Sequence, residues 1–319
     1  MLLILFSCSN DETQISEPVV DDLYFPAIDS DQWETLNPEE LNWDSVGIDN
    51  LYNFLQLNNT RAFVVLKDGK IVLENYWGNN FSNTAPFDSN SNWYWASAGK
   101  TLTAFLVGIA KDNGILSLED SSSTFLGNGW TSLEESQESL IKIKHHLTMT
   151  TGLDYLVDNL NCTDPNCLTY KNTPGTNWFY HNATYSLLKD VIENTSETTY
   201  NDFTNQKVKM KIGMGGSWIQ SNYSNIYWST ARDMARFGLL ILNEGVWDNQ
   251  VILSDTNYFS NMVNTSQQMN ESYGYLWWLN GKDSLIPPGI TFPIQTSLAS
   301  NAPEDLIAGM GKNGQYLDV

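Results

Sequence analysis

Ser97-Ala98-Gly99-Lys100 sets a hydroxyl and an amine three residues apart. On the first turn of a helix, residues i and i+3 share a face, with Cβ atoms roughly 5–6 Å apart, so the amine can reach the hydroxyl. An alcohol is a poor nucleophile at neutral pH unless a neighbouring base takes its proton. Lysine serves as that base only where burial or a nearby cation lowers its pKa to about 7–8. A helix N-terminus would add unpaired N–H groups and partial positive charge beside the serine. Alone, Ser-x-x-Lys is a weak signal, because both residues are common.

Two further clusters carry chemistry. Tyr180-His181-Asn182 follows Pro174-Gly175 and precedes a helical pattern. Residues two apart in an extended loop point the same way, so Tyr180 and Asn182 can face one cleft while His181 faces elsewhere. A phenol there can shuttle protons, and an amide can orient the lysine or a substrate carbonyl. Lys312-Asn313-Gly314-Gln315 lies in a strand-like stretch. Its lysine would add positive charge, and its glycine would let a substrate backbone approach closely. Trp178 and Phe179 adjoin Tyr180 and are the aromatic candidates to line an apolar acyl pocket. Tyr223, Tyr227, Trp228, Trp277 and Trp278 read individually as core and loop packing.

The elements that must position these residues are partly legible. Ala62 to Gly78 reads as two β-branched runs around Lys67-Asp68-Gly69-Lys70, and Asp-Gly is a hairpin turn signal. From Ser97, Leu102, Phe105, Leu106 and Ile109 fall on one apolar helix face, stopped by Asn113-Gly114. Further helices are expected over Ala183 to Glu193 and Thr230 to Asn243, the latter ending before Gly245. Strand-like segments return near Tyr273 to Leu279 and Leu306 to Val319. The expectation is an α+β domain over residues 23–319, with sheet parts at about 60–90 and 270–319 and a mainly helical region at about 90–270.

The bulk composition limits the alternatives. The 319 residues are 41% hydrophobic, enough for a large core. A net charge of −21 repels nucleic acid, and no basic aromatic patch offsets it. No stretch reaches the roughly 18–20 apolar residues of a membrane span. Met1 to Cys8, MLLILFSC, resembles the end of a bacterial lipoprotein signal, although a basic leader region is missing. Residues 1–22 are thus expected to be a signal remnant and tether, with Cys8 a lipid anchor holding an exported protein at the cell envelope. Cys162 and Cys167 flank a Thr-Asp-Pro-Asn turn, which favours a local disulfide; no further ligand is spaced for a metal.

Taken together, the order and spacing of the three clusters resemble the Ser-x-x-Lys, Tyr-x-Asn and Lys-Thr-Gly set of class C β-lactamases and penicillin-binding-protein-like serine hydrolases, a close sibling of a known signature. Leu147 to Leu153 (LTMTTGL), Ile212-Gly213-Met214 and the segment from Ala231 to Gly238 extend the likeness across about residues 30–319. The resemblance implies a β-lactamase/DD-peptidase-like fold, an antiparallel sheet flanked by helices. It also implies Ser97 acylated by a small ester, amide or peptide. Lys100 and Tyr180 would move the proton, Asn182 would hold Lys100 or the substrate amide, and Lys312 would tune Tyr180 and attract a carboxylate. Asn313 and Gly314 would contact substrate, and the N–H groups of Ser97 and Gln315 would form the oxyanion hole. It implies no cofactor and a monomer.

Two departures bear on substrate. Asn313 stands where β-lactamases and peptidases usually carry a hydroxyl, which favours the family's esterases, amidases and hydrolases of linear amides such as 6-aminohexanoate dimers. The family also continues with two more strands and a helix, so the chain ending at Val319 is expected to be a fragment. A Ser-His-Asp hydrolase fits less well: Trp95-Ala96-Ser97-Ala98-Gly99 lacks the first glycine of the nucleophile elbow, and His145, His146 and His181 include none in the required downstream position. The rival from another class is a cell-wall peptide sensor that binds or acylates without turnover.

Overall fold

The computed structural model describes residues 23–319; Met1–Asp22, including Cys8, lie outside the described residues. Helix α1 (Ser45–Leu57) starts at Asp44, whose carboxylate accepts from the N–H groups of Val46 and Gly47. The first hairpin follows the sequence expectation, with β1 (Ala62–Lys67) paired antiparallel to β2 (Lys70–Tyr76) around Asp68-Gly69. A short strand β3 (Trp93–Tyr94) leads through a 3-10 turn at Ala96–Ala98 into α2 (Gly99–Asp112).

Helix α2 is central. Its residues Gly99 to Ala110 are all buried, not merely one apolar face. The polar members are satisfied locally: Thr101 Oγ1 donates to Ala98 O at 2.7 Å, and Tyr200 OH donates to Thr103 Oγ1 at 2.9 Å. Burying Leu102, Phe105, Leu106 and Ile109 stabilises the fold by roughly 1.5–3 kcal/mol per side chain.

Helix α3 (Ile143–Leu147), helix α4 (Asn182–Ser196) and the antiparallel pair β4 (Ser217–Ser221) and β5 (Ser224–Ser229) follow. The β4–β5 hairpin departs from the expected helix-and-loop middle. Helix α5 (Ala231–Leu242) is capped reciprocally by Thr230 and Asp233. Of Tyr273 to Leu279, only Trp278–Leu279 is strand (β6); Tyr273 to Trp277 turns back on itself, with Gly274 N–H on Trp277 O. Strands β7 (Ile307–Gly311) and β8 (Gln315–Asp318) form the last hairpin, in the order β8-β7-β6. Hairpins β1–β2 and β7–β8 both pack on α5 but are not hydrogen-bonded to each other. The architecture is α+β, with antiparallel sheets flanked by helices.

Candidate active site

The end of β3 fixes the nucleophile's position. Trp95 is buried; its N–H donates to Tyr227 O and its indole to Ser229 Oγ, both at 2.8 Å. Ala96 then takes a left-handed φ of 49°, a conformation costing an L-residue roughly 1–2 kcal/mol. That bend turns the chain into the helix and leaves the Ser97 side chain half-buried at its entrance.

Lys100 Nζ lies 2.9 Å from Ser97 Oγ and 3.1 Å from Asn182 Oδ1. The lysine is 2% exposed, and among the described residues no carboxylate pairs with it. Desolvation therefore lowers its pKa to about 7. The Tyr180 phenol meets the Ser97 hydroxyl. Burial pushes its pKa far above the usual phenol value, against the smaller downward pull of that contact. Tyr180 is held by stacking on Trp278, centroids 5.8 Å apart. Asn182 opens α4, so that helix delivers the amide while the preceding loop delivers the phenol. His181 turns the other way as expected, with Nε2 3.3 Å from Asp154 O.

The third cluster is arranged differently. Lys312, Asn313 and Gly314 form the exposed β7–β8 turn, with Asn313 at φ 64° and Gly314 at φ 72°. Among the described residues the Lys312 side chain has no hydrogen bond or ion pair, and the Asn313 amide donates to Tyr94 OH at 3.0 Å. The backbone that reaches the nucleophile's turn is β7. A Cβ on Gly309 would stand 3.0 Å from Thr101 Cγ2, and one on Gly311 would stand 3.0 Å from both Ala98 N and Gln315 Cβ. Gln315 is thus carried to the same place across the hairpin. A strand with glycine at alternate positions signals such close approach, so Gly309-Met310-Gly311 was readable in the sequence.

Two aromatic placements also differ from expectation. Trp178 is 2% exposed and packs edge-on against Tyr273 and Trp278, so it supports the site from behind. Phe179 stacks on Tyr155 at 4.1 Å. Tyr185, missed in the sequence, puts its ring centroid 3.9 Å from Lys100 Nζ. Cys162 and Cys167 are disulfide-bonded.

A profile of the β-lactamase family matches residues 60–310, and the chain belongs to that family. No curated protein matches it significantly. Among solved structures it resembles a candidate 6-aminohexanoate-dimer hydrolase from Bacillus anthracis (TM-score 0.64, 18% identity, 84% of this chain and 72% of that one). It also resembles a candidate β-lactamase from Bacteroides dorei (0.61, 19%, 74% and 79%). A β-lactamase/D-alanine carboxypeptidase from Pseudomonas syringae is similar as well (0.59, 18%, 85% and 88%). These likenesses establish the β-lactamase/DD-peptidase fold.

Proposed function

We propose that the protein is a serine hydrolase that cleaves an ester or amide through an acyl-enzyme on Ser97, most closely an esterase or amidase of the β-lactamase-related kind. The observation that carries this reading is the buried, carboxylate-free Lys100 amine 2.9 Å from the Ser97 hydroxyl.

With its pKa near 7, a large share of Lys100 is free base at neutral pH and accepts the Ser97 proton. Ser97 Oγ bonds to the carbonyl carbon, and the tetrahedral oxyanion faces the N–H groups of Ser97 and Gln315. Tyr180 stays a neutral phenol. It protonates the leaving group and recovers a proton from the Lys100 ammonium. Water, deprotonated by the same pair, then cleaves the ester. Asn182 holds Lys100 in place, and Lys312, free on its turn, draws in a substrate carboxylate. The tether before Leu23 would anchor the enzyme at the cell envelope through lipidated Cys8; a Cys8→Ser change should abolish the lipid mass.

Intact-mass analysis after treatment with a serine-reactive phosphonate tests the nucleophile. One adduct on the wild type and none on Ser97→Ala is the expected result. A folded wild type that takes up no phosphonate would overturn it.

A further inference from the structure

We infer that Tyr185 is a positioning residue that sets the basicity of Lys100 through its ring face, a role that rests on the reading of Lys100 as the base. Among the described residues the Lys100 amine hydrogen-bonds two neutral oxygens, Ser97 Oγ and Asn182 Oδ1. Its ammonium form, which exists after each proton transfer, meets no carboxylate among the described residues. The Tyr185 ring centroid stands 3.9 Å from Nζ and the Tyr180 centroid 4.9 Å. The negative face of a ring attracts a cation, most strongly where water is excluded. Tyr185 is the closer of the two.

Tyr185 also borders a small cavity with Thr103, Ser186, Lys189, Tyr200 and Asn225. Removing the hydroxyl and removing the ring are separate substitutions, so their contributions can be told apart. The other titratable groups near Lys100 do not replace the ring. Tyr180, Tyr200 and Tyr273 are all held protonated by burial, and Lys189 is engaged by Asp190 and Glu193. Without the ring, the buried lysine would lose its proton more readily and become a weaker base. The arrangement puts Tyr185 between two demands, a lysine neutral enough to accept a proton and basic enough to pull it from an alcohol.

The experiment follows Lys100 directly, by the ¹³C shift of its ε-carbon in lysine-labelled protein across pH, alongside the pH profile of phosphonate acylation. Tyr185→Phe should titrate like wild type. Replacing that phenylalanine with its mono-, di- and trifluorinated forms keeps the shape while draining the ring face, and the Lys100 midpoint should fall stepwise. Tyr185→Leu should lower it by about 1.5 pH units, the usual strength of a desolvated contact of this kind. The acylation profile should move by the same amount. A Lys100 midpoint indifferent to fluorination overturns the inference, as does a Phe shift equal to that of Leu. The NMR titration needs no turnover, so a wild type that fails to acylate would sink the hydrolase reading while Tyr185 is still decided.

Discussion

Gly311 is pressed against Ala98: a Cβ there would lie 3.0 Å from Ala98 N and 2.4 Å from Trp95 O. The contact joins the β7–β8 hairpin to the turn that carries Ser97, two parts of the chain more than 200 residues apart. It makes the geometry of the nucleophile depend on a strand rather than on the exposed turn beyond it.

Gly311→Ala should therefore push β7 away from the turn. Neither obstacle is a flexible side chain, since both Ala98 N and Trp95 O are backbone. The expected result is a loss of about 1–3 kcal/mol of stability, the usual cost of overpacking. A fall of about 10²-fold in acylation rate should accompany it, as when an oxyanion donor is displaced. Gly314→Ala is the control, since only Tyr316 Cε2 at 3.7 Å lies near. It should cost about 1–2 kcal/mol for its left-handed φ and leave acylation within a few-fold. Chemical denaturation and phosphonate kinetics on both variants check the contrast; equal kinetic losses would place the critical contact at the turn instead.

Acylation should climb as pH rises through about 7. Lys100 is held below its ordinary value by desolvation, and only its free base can accept the Ser97 proton. Below that midpoint the rate should drop tenfold per pH unit. Lys100→Arg keeps the positive charge but never deprotonates at usable pH, so it should lose at least about 10³-fold and flatten the profile. A Lys100→Arg rate close to wild type would remove the lysine from the base's role.

Tyr180→Phe separates proton delivery from ring packing. The stack on Trp278 survives, so stability should change by less than about 1 kcal/mol, the scale of one hydrogen bond. Turnover should fall by about 10²–10⁴-fold, the range of general acid–base catalysis. The loss should be smaller for substrates with good leaving groups, such as aryl esters, that need little protonation. Comparing aryl and alkyl esters reads this out, and near-normal turnover on alkyl esters would exclude Tyr180 as the acid.

Much of this site is visible in the sequence because its spacing is local. Ser97 and Lys100 share one helical turn, and Tyr180 and Asn182 share one loop, so periodicity alone faces each pair correctly. What brings the two pairs together is the packing of α4 on α2, which no local pattern encodes. Tyr185 was hidden for that reason: its ring is a partner of Lys100 only across the helix interface. The β4–β5 hairpin was hidden for another. Along β5 the buried positions are Asn225, Tyr227 and Ser229, while Ile226 and Trp228 are only partly covered, so the usual apolar alternation is inverted. The strand-like reading around Lys312 gives way to a turn because a Lys-Asn-Gly run suits both, and two left-handed φ values decide for the turn.

Acid should loosen the fold around the site before it destroys the rest. His146 is wholly buried between Ser122 Oγ, 2.8 Å from Nε2, and Thr184 O, 2.7 Å from Nδ1. It ties α3 to the first turn of α4, which carries Asn182. Desolvation lowers its pKa to about 4, and those of His145 and His181 to about 4 as well. The folded state therefore holds neutral rings, whereas the unfolded chain protonates them near 6.5. Between those values the unfolded state binds more protons, so stability is present above about pH 6.5 and declines as pH falls toward 4. At pH 5 His146 alone should cost on the order of 2 kcal/mol. Urea unfolding at pH 7 and pH 5 measures the slope; His146→Asn should reduce it by about a third, His145 and His181 supplying the rest, while lowering stability at pH 7. A slope untouched by that substitution would move the acid sensitivity to other groups.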